Sequence, residues 1–148
     1  MTISIIIFCT LFAYLIGSLP TAVWFGQAYY GIDIREQGSG NAGATNTFRI
    51  LGKRAGVIVL AVDIMKGWSA TSLATFLLAL NLIPYDYLIT YKIIFGTAAV
   101  LGHIFPVYAK FRGGKGVATL IAVIFSINIE AALLCMVIFF VVLFISKY

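Results

Sequence analysis

The sequence has few charged residues. Asp, Glu, Lys and Arg make up only 10% of its 148 residues, whereas soluble domains carry about 25%. Apolar residues account for 62%, and the mean hydropathy is +1.07. A soluble domain is excluded, because a chain of this size would leave much of that apolar surface in water, and disordered and coiled-coil classes are excluded too. The composition predicts an all-α integral membrane protein, a polytopic helical bundle forming one domain over residues 1–148.

Metal ligands and cysteines are also scarce. Two cysteines, Cys9 and Cys135, each lie inside an apolar run, so we expect buried thiols and no disulfide scaffold. His103 is the only histidine, and the five acidic residues form no cluster. This inventory predicts neither a metal site nor a cofactor. The net charge of +5 comes from basic residues in loops between apolar runs, which indicates membrane topology and anionic lipid or substrate, with no nucleic-acid partner.

The apolar residues form four blocks, at about 3–25, 55–83, 87–105 and 117–145. A membrane span needs about 20 residues, so each of the first three blocks fits one helix. The first lacks the features of a cleaved signal peptide and is expected to be retained. The fourth is long, and a turn at Asn128–Glu130 would bring the Glu130 carboxylate to water. We therefore expect about five transmembrane helices, with one long tilted helix over 117–145 as the alternative.

Basic residues predict the orientation of the bundle. The loop Gln27–Arg54 contains four of them and the loop Pro106–Gly116 contains three, whereas the loop Asn81–Asp86 contains none. The positive-inside rule then places both basic loops in the cytoplasm and the N-terminus outside. With five helices, Lys147 falls on the cytoplasmic side, as the rule requires. Lys92 is the exception, because it falls on the outer side.

The first basic loop is rich in small and polar residues. Backbone N–H groups can turn toward an anion where no Cβ interferes, and Arg49 offers a planar cation suited to phosphate oxygens. The candidate phosphate ligands beside Arg49 are Ser39, Gly40, Asn41, Gly43, Thr45 and Asn46. A flexible loop without a ligand is the alternative. Gly38, Gly40 and Gly43 match the dinucleotide-binding spacing, but no strand precedes them, so that function is rejected.

The second basic loop places glycines and cations at the start of an apolar block. Helix N-termini with free N–H groups bind phosphate, and two cations strengthen such a site. The candidate ligands are Arg112, Gly113, Gly114, Lys115 and Gly116. A basic clamp on anionic lipid is the alternative. Two such loops on one side of the membrane indicate a single phosphate-handling site.

Three further residues stand out. Asp63 and Lys66 share a helix face roughly 12–16 Å into the second block. Intramembrane charges indicate a functional site, and Lys66 is either a phosphate ligand or a structural partner of Asp63. His103 ends an apolar block beside Pro106, where it is either a packed residue or a catalytic base.

Together these segments resemble the bacterial acyl-phosphate:glycerol-3-phosphate acyltransferases. The resemblance rests on Ser39–Asn46 with Arg49, on Asp63 to Gly67, on Gly102–Pro106 and on Phe111–Thr119, in order and over almost the whole chain. Arg112 stands where the family usually has Lys.

The resemblance implies a seven-helix bacterial inner-membrane enzyme of phospholipid biosynthesis. Such an enzyme moves a fatty acyl group from acyl phosphate to glycerol-3-phosphate and releases lysophosphatidate and phosphate. By motif position, Ser39 and Arg49 would bind one phosphate and the loop Arg112–Gly116 the other. His103 is a candidate base, but a substrate phosphate is the preferred proton acceptor.

The resembled family carries a third motif after its last helices, and this chain ends at Ser146-Lys147-Tyr148. Three alternatives stay open at this point: a C-terminally incomplete chain, a second polypeptide that completes the site, and an inactive fragment. An anion-binding or phosphate-transporting membrane protein is the alternative from a different functional class.

Overall fold

The computed structural model describes residues 2–147, and the side chains of residues 3–147. Over this range the chain forms helices and turns without a strand. The helices are α1 (Thr2–Gly17), α2 (Thr21–Tyr30), α3 (Ala44–Leu51), α4 (Lys53–Ala79), α5 (Leu88–Ile104), α6 (Val117–Ile127) and α7 (Ile129–Ser146). Short 3-10 turns lie at Ile34–Glu36, Tyr85–Tyr87 and Val107–Ala109.

Within residues 2–147, four segments are long and apolar enough to cross a membrane. They are Ile3–Tyr30, Lys53–Ala79, Tyr85–Ala109 and Ile129–Ser146, and α6 is a shorter apolar helix. The predicted all-α membrane bundle with about five helices is therefore confirmed.

The predicted turn in the fourth block is present. Asn128 adopts an extended conformation (φ −151°, ψ 109°), and its Oδ1 accepts a hydrogen bond from the backbone N–H of Ala131 at 2.9 Å. This N-cap starts α7, and Glu130 in the first turn complements the positive end of the helix. The 11-residue α6 is about 17 Å long, shorter than the hydrocarbon core of about 30 Å.

Two segments differ from expectation. The first block forms two helices, because Pro20 has no N–H to continue α1, and α2 extends to Tyr30. The segment Gln27–Arg54, predicted as a loop between membrane spans, contains the eight-residue helix α3.

Small residues let the helices approach closely, as in other membrane bundles. A Cβ built on Gly17 of α1 would lie 2.0 Å from the carbonyl oxygen of Ala99 in α5, and one on Gly67 of α4 would lie 2.5 Å from that of Thr119 in α6. Cys9 lies in the buried core of α1, α4 and α5, whereas Cys135 on α7 is exposed, contrary to expectation. Both thiols are free.

Lys92 has a structural role that explains its position. Its Nζ donates a hydrogen bond of 2.6 Å to the carbonyl oxygen of Ser126, near the C-terminal end of α6. A cation at the negative end of a helix is stabilising. This contact accounts for Lys92, which is an exception to the positive-inside rule.

Candidate active site

The two basic loops meet at one end of the bundle, around a cavity of about 280 Å³. The cavity is lined by Ser39, Asn41, Gly43, Ala44, Thr45, Arg49, Leu60, Asp63, His103, Lys115, Gly116, Val117, Ala118 and Ile121. Residues more than 60 positions apart in the sequence thus share one site.

The first loop ends in α3, whose amino end faces the cavity. Gly43 is the N-cap in an extended conformation, and Gly43, Ala44 and Thr45 line the cavity. Within the described chain no side chain caps this helix end, so its first N–H groups have no intrahelical partner. Arg49 follows on the same short helix and is exposed to the cavity.

The second loop ends in α6, which presents its amino end to the same cavity. Gly116 is the N-cap with φ +74°, a left-handed conformation that favours glycine. Gly116, Val117 and Ala118 line the cavity beside the exposed Lys115. Among the described residues no side chain caps α6 either.

The cavity therefore combines two positive helix ends with two cations, Arg49 and Lys115. Helix N-termini bind phosphate through free N–H groups and the helix dipole. Arg adds paired donors in a plane, and Lys adds a point charge. The hydroxyl of Ser39 and the amide of Asn41 also line the cavity and are neutral hydrogen-bonding groups. This arrangement suits a ligand with more than one anionic group.

A buried charged cluster forms the inner wall. Lys66 Nζ lies 2.9 Å from Asp63 Oδ1, and both side chains are only 3% exposed. His103 Nδ1 lies 3.6 Å from the same carboxylate oxygen, longer than a hydrogen bond. Thr119 Oγ1 donates to the backbone carbonyl of Asp63 at 3.1 Å. The cluster joins α4, α5 and α6 behind the cavity.

The side chains of Asn46 and Lys66, expected as phosphate ligands, bind other parts of the chain. Asn46 is buried; its Nδ2 donates to the carbonyls of Ile34 and Gln37, and its Oδ1 accepts from the N–H of Ser39. It holds the first loop in shape. Lys66 donates to the Leu19 carbonyl at 3.1 Å as well as pairing with Asp63. It thereby stabilises the break between α1 and α2.

Two glycines of the second loop also have backbone partners within the chain. The N–H groups of Gly113 and Gly114 donate to the carbonyls of Ile104 and His103, so they are not free for an anion. Glycine is required at both positions because there is no room for a side chain. A Cβ on Gly113 would lie 2.0 Å from the His103 carbonyl oxygen, and one on Gly114 would lie 2.2 Å from His103 Nε2. Arg112 is exposed, and neither it nor Gly40 lines the cavity.

Arg35 connects the two loops. Its Nη1 donates to the carbonyl of Ala109 in the second loop at 2.9 Å, and its Nε and Nη2 bind the Asp33 carboxylate. Hydrogen bonds from Arg35 hold the pKa of Asp33 below its usual value, although partial burial acts in the opposite direction. Sequence reasoning missed this residue, and no local pattern distinguishes it from other loop cations.

Sequence reasoning also missed the apolar wall and the amino end of α3. Leu60, Val117 and Ile121 line the cavity from α4 and α6. The 3.6-residue period places Val117 and Ile121 on one helix face, which is the signal that could have found them.

Comparisons with known proteins identify the family of the chain. Residues 7–148 match a family model described as glycerol-3-phosphate acyltransferase. The chain belongs to this family. It is 51% identical to glycerol-3-phosphate acyltransferase 2 of Bacillus cereus (strain ATCC 10987 / NRS 248) over 136 residues, covering 92% of this chain and 64% of that protein. It is 47% identical to the glycerol-3-phosphate acyltransferase of Listeria monocytogenes serovar 1/2a (strain ATCC BAA-679 / EGD-e), covering 100% of this chain and 71% of that one.

Solved structures of the integral membrane glycerol 3-phosphate acyltransferase PlsY share the fold. Its glycerol 3-phosphate form superimposes with a TM-score of 0.73 at 36% identity, covering 94% of this chain and 66% of that chain. Its lysophosphatidic acid form gives 0.69 at 32%, covering 93% and 64%. The chain thus spans about two thirds of the length of these acyltransferases. The comparisons give no support to a second polypeptide.

Proposed function

We propose that the protein transfers a fatty acyl group from acyl phosphate to glycerol-3-phosphate, forming lysophosphatidate and inorganic phosphate. The observation that carries this proposal is the convergence of two uncapped helix N-termini, Arg49 and Lys115 on one cavity. The reaction needs this duplication because donor and acceptor each carry a phosphate. Family membership and PlsY's two named ligand forms support the choice of substrates.

In this proposal each helix end binds one phosphate. The amino end of α3, with Ser39, Asn41, Thr45 and Arg49, holds one group, and the amino end of α6 with Lys115 holds the other. Gly43 and Gly116 contribute as the N-caps that leave the first N–H groups uncovered. Binding both substrates in one cavity converts a bimolecular reaction into an effectively unimolecular one.

The chemistry follows from the donor, which is a mixed anhydride. The free primary hydroxyl oxygen of glycerol-3-phosphate attacks the acyl carbonyl carbon, and the bond between that carbon and the bridging oxygen breaks. An ester forms, and phosphate leaves with the electron pair. The cations and N–H groups stabilise the negative charge that develops on the leaving group.

The hydroxyl proton goes to a substrate phosphate in this scheme. His103 is a poor acceptor because it is 5% exposed, its Nδ1 faces Asp63 and Thr119, and its Nε2 is packed against Gly114. We therefore assign His103 to positioning the second loop, and not to base catalysis.

We further propose that the protein lies in the bacterial plasma membrane, with both loops in the cytoplasm and the N-terminus outside. The loop cations support this orientation, as does the meeting of both loops at one end of the bundle. Cysteines introduced at Lys110 and at Tyr85 test it, since both residues are exposed. In intact cells an impermeant maleimide should label only the Tyr85→Cys variant, and the reverse pattern would overturn the orientation.

An enzymatic assay tests the reaction. Membranes containing the protein should convert acyl phosphate and glycerol-3-phosphate to lysophosphatidate without added metal. Arg49→Ala should lower the rate by about 100-fold, because one charge-stabilising donor is typically worth that much. Arg54→Ala is the matched control, since Arg54 is an exposed cation that does not line the cavity. Product formation with acyl-CoA as the sole donor would contradict the mechanism.

A phosphate transporter is a poorer fit to the site. A transport route would need a polar path through the bundle, and the buried Asp63 and Lys66 neutralise each other. Phosphate flux into vesicles without product would favour it over the enzyme.

A further inference from the structure

One side chain that lines the phosphate cavity carries a negative charge. Asp63 on α4 is the only carboxylate among the described residues that line the cavity, and it lies there with the cations Arg49 and Lys115. A carboxylate repels phosphate oxygens, so phosphate binding does not explain its place in the wall. An ionised carboxylate only accepts hydrogen bonds, which means that its ligand in the cavity must be a donor.

Residues of three helices fix the Asp63 carboxylate. Lys66 Nζ, on the same helix α4, lies 2.9 Å from Oδ1, and His103 Nδ1 of α5 lies 3.6 Å from the same oxygen. Thr119 of α6 holds the backbone through its hydrogen bond to the Asp63 carbonyl. Pairing with Lys66 offsets the cost of burying the charge. Both of these carboxylate contacts run through Oδ1, which leaves Oδ2 to accept a hydrogen bond from a ligand.

The two proposed substrates differ in the groups that such an acceptor selects. Both carry phosphate, but only glycerol-3-phosphate carries hydroxyl groups. The hydroxyl side chains Ser39 and Thr45 of the cavity wall belong to the first loop and α3, where the proposed function places a phosphate. Asp63 lies on α4 beside Leu60 of the apolar wall. A glycerol-3-phosphate that is held by its phosphate at a helix end has its glycerol part left to contact α4.

We propose that Asp63 accepts a hydrogen bond from the secondary hydroxyl group of glycerol-3-phosphate and thereby selects this acceptor over phosphates that lack that group. The inference rests on the proposed function and deepens it. With the secondary hydroxyl bound, the primary hydroxyl is free to attack the acyl carbonyl carbon. Binding of the reacting hydroxyl instead would place a fixed negative charge beside the carbonyl oxygen, on which negative charge develops.

A ligand that lacks one hydroxyl group tests the contact without turnover. The compound 3-hydroxypropyl phosphate keeps the phosphate and the primary hydroxyl of glycerol-3-phosphate and lacks only the secondary hydroxyl. In calorimetric titrations of the purified protein in detergent, glycerol-3-phosphate should bind at least about tenfold more tightly, since a hydrogen bond to a charged group is worth that much. Equal binding of the two ligands overturns the inference while supporting the proposed function, and binding of neither overturns both.

A conservative variant asks whether Asp63 is the source of this preference. Asp63→Asn keeps the shape of the side chain and removes its charge, so the preference for glycerol-3-phosphate should fall by about fivefold. Glu36→Gln is the matched control, because Glu36 is exposed and does not line the cavity. It should leave the preference unchanged.

The double variant Asp63→Leu/Lys66→Met guards against a folding defect. Replacement of both members of a buried ion pair by apolar residues is often neutral for stability. The preference should disappear in this variant, even if the affinity for both ligands changes. A merely structural role for Asp63 would weaken the two ligands equally and keep their ratio, and an unchanged ratio in the double variant overturns the inference.

Turnover provides a second readout. Asp63→Asn should raise KM for glycerol-3-phosphate by about fivefold with little change in kcat, because the lost contact serves substrate binding. A loss confined to kcat, with the binding preference intact, would assign Asp63 to the chemical step and overturn the inference.

Discussion

The two loops around the cavity have similar compositions but use their glycines for different reasons. In the first loop Gly38 and Gly40 have φ +59° and +71°, so glycine supplies a left-handed backbone. In the second loop Gly113 and Gly114 lack a left-handed φ and instead lie against His103 and Ile104 with no room for a Cβ. Gly40 thus needs conformational freedom and Gly113 and Gly114 need space, whereas Gly116 of the second loop, with φ +74°, needs the left-handed conformation as Gly40 does.

Gly113→Ala should give the largest effect. The added Cβ would meet three fixed atoms, the carbonyl oxygens of His103 and Ile104 and the Cδ of Pro106, at 2.0 to 2.7 Å. We expect destabilisation of about 3 kcal/mol, the upper range for overpacking, together with loss of transferase activity. Thermal unfolding in detergent and the membrane assay measure the two effects. A stable, active variant would show that the second loop tolerates displacement.

Gly40 provides the contrasting substitution. Gly40→Ala should cost about 1–2 kcal/mol, because an L-residue is strained in the left-handed region, and Gly40→Asn should cost less, since Asn adopts that region more readily. At Gly113, by contrast, Asn should be no better than Ala. The order of melting temperatures for Ala and Asn at each position checks the distinction, and equal rescue by Asn at both sites would contradict it.

Arg35→Ala should weaken the connection between the two loops, and its effect should be smaller than that of the glycine substitutions. It removes the bond to the Ala109 carbonyl and frees Asp33. A hydrogen bond of this kind contributes about 1 kcal/mol, reduced here because Arg35 is partly exposed, so we expect up to about fivefold weaker substrate binding. Arg35→Lys should recover part of it. A change in kcat with KM unaltered would argue against a role in holding the loops together.

Acid should have the smallest effect on the first loop. The pKa of Asp33 is lowered by Arg35, so its stabilising contribution is complete above the ordinary Asp pKa of about 3.9 and is lost as pH falls through the lowered value. Asp33→Asn should therefore lower the melting temperature at pH 7 by an amount that shrinks in strong acid. A difference that changes between pH 6 and 8 would assign the effect to another group.

Features with local causes could be predicted from the sequence. The break at Asn128 was predicted because a single long apolar helix would have buried the Glu130 carboxylate. The meeting of the two loops was predicted because both are basic and therefore lie on the same side of the membrane. Helix α3 was missed because it is only eight residues long and follows a glycine-rich stretch, although its residues form an amphipathic helix.

The roles of Asn46, Gly113 and Gly114 could not be predicted, because they depend on distant backbone. In the sequence, a glycine in a basic loop looks the same whether its N–H binds an anion or a backbone carbonyl from a distant part of the chain. Gly114 donates to His103, and Asn46 binds Ile34, only because the chain turns back there. The composition of the loops indicates an anion site, but which backbone N–H groups are available to bind an anion depends on the fold.

The short α6 begins beside the interior of α4. Thr119, in its first turn, binds the backbone of Asp63, which lies ten residues along α4 from Lys53, or about 15 Å. The amino end of α6 is therefore level with the interior of α4 and not with its first turn. In the proposed reaction the phosphate groups would meet beside the apolar side chains of Leu60, Val117 and Ile121, so the acyl donor would react without leaving apolar surroundings.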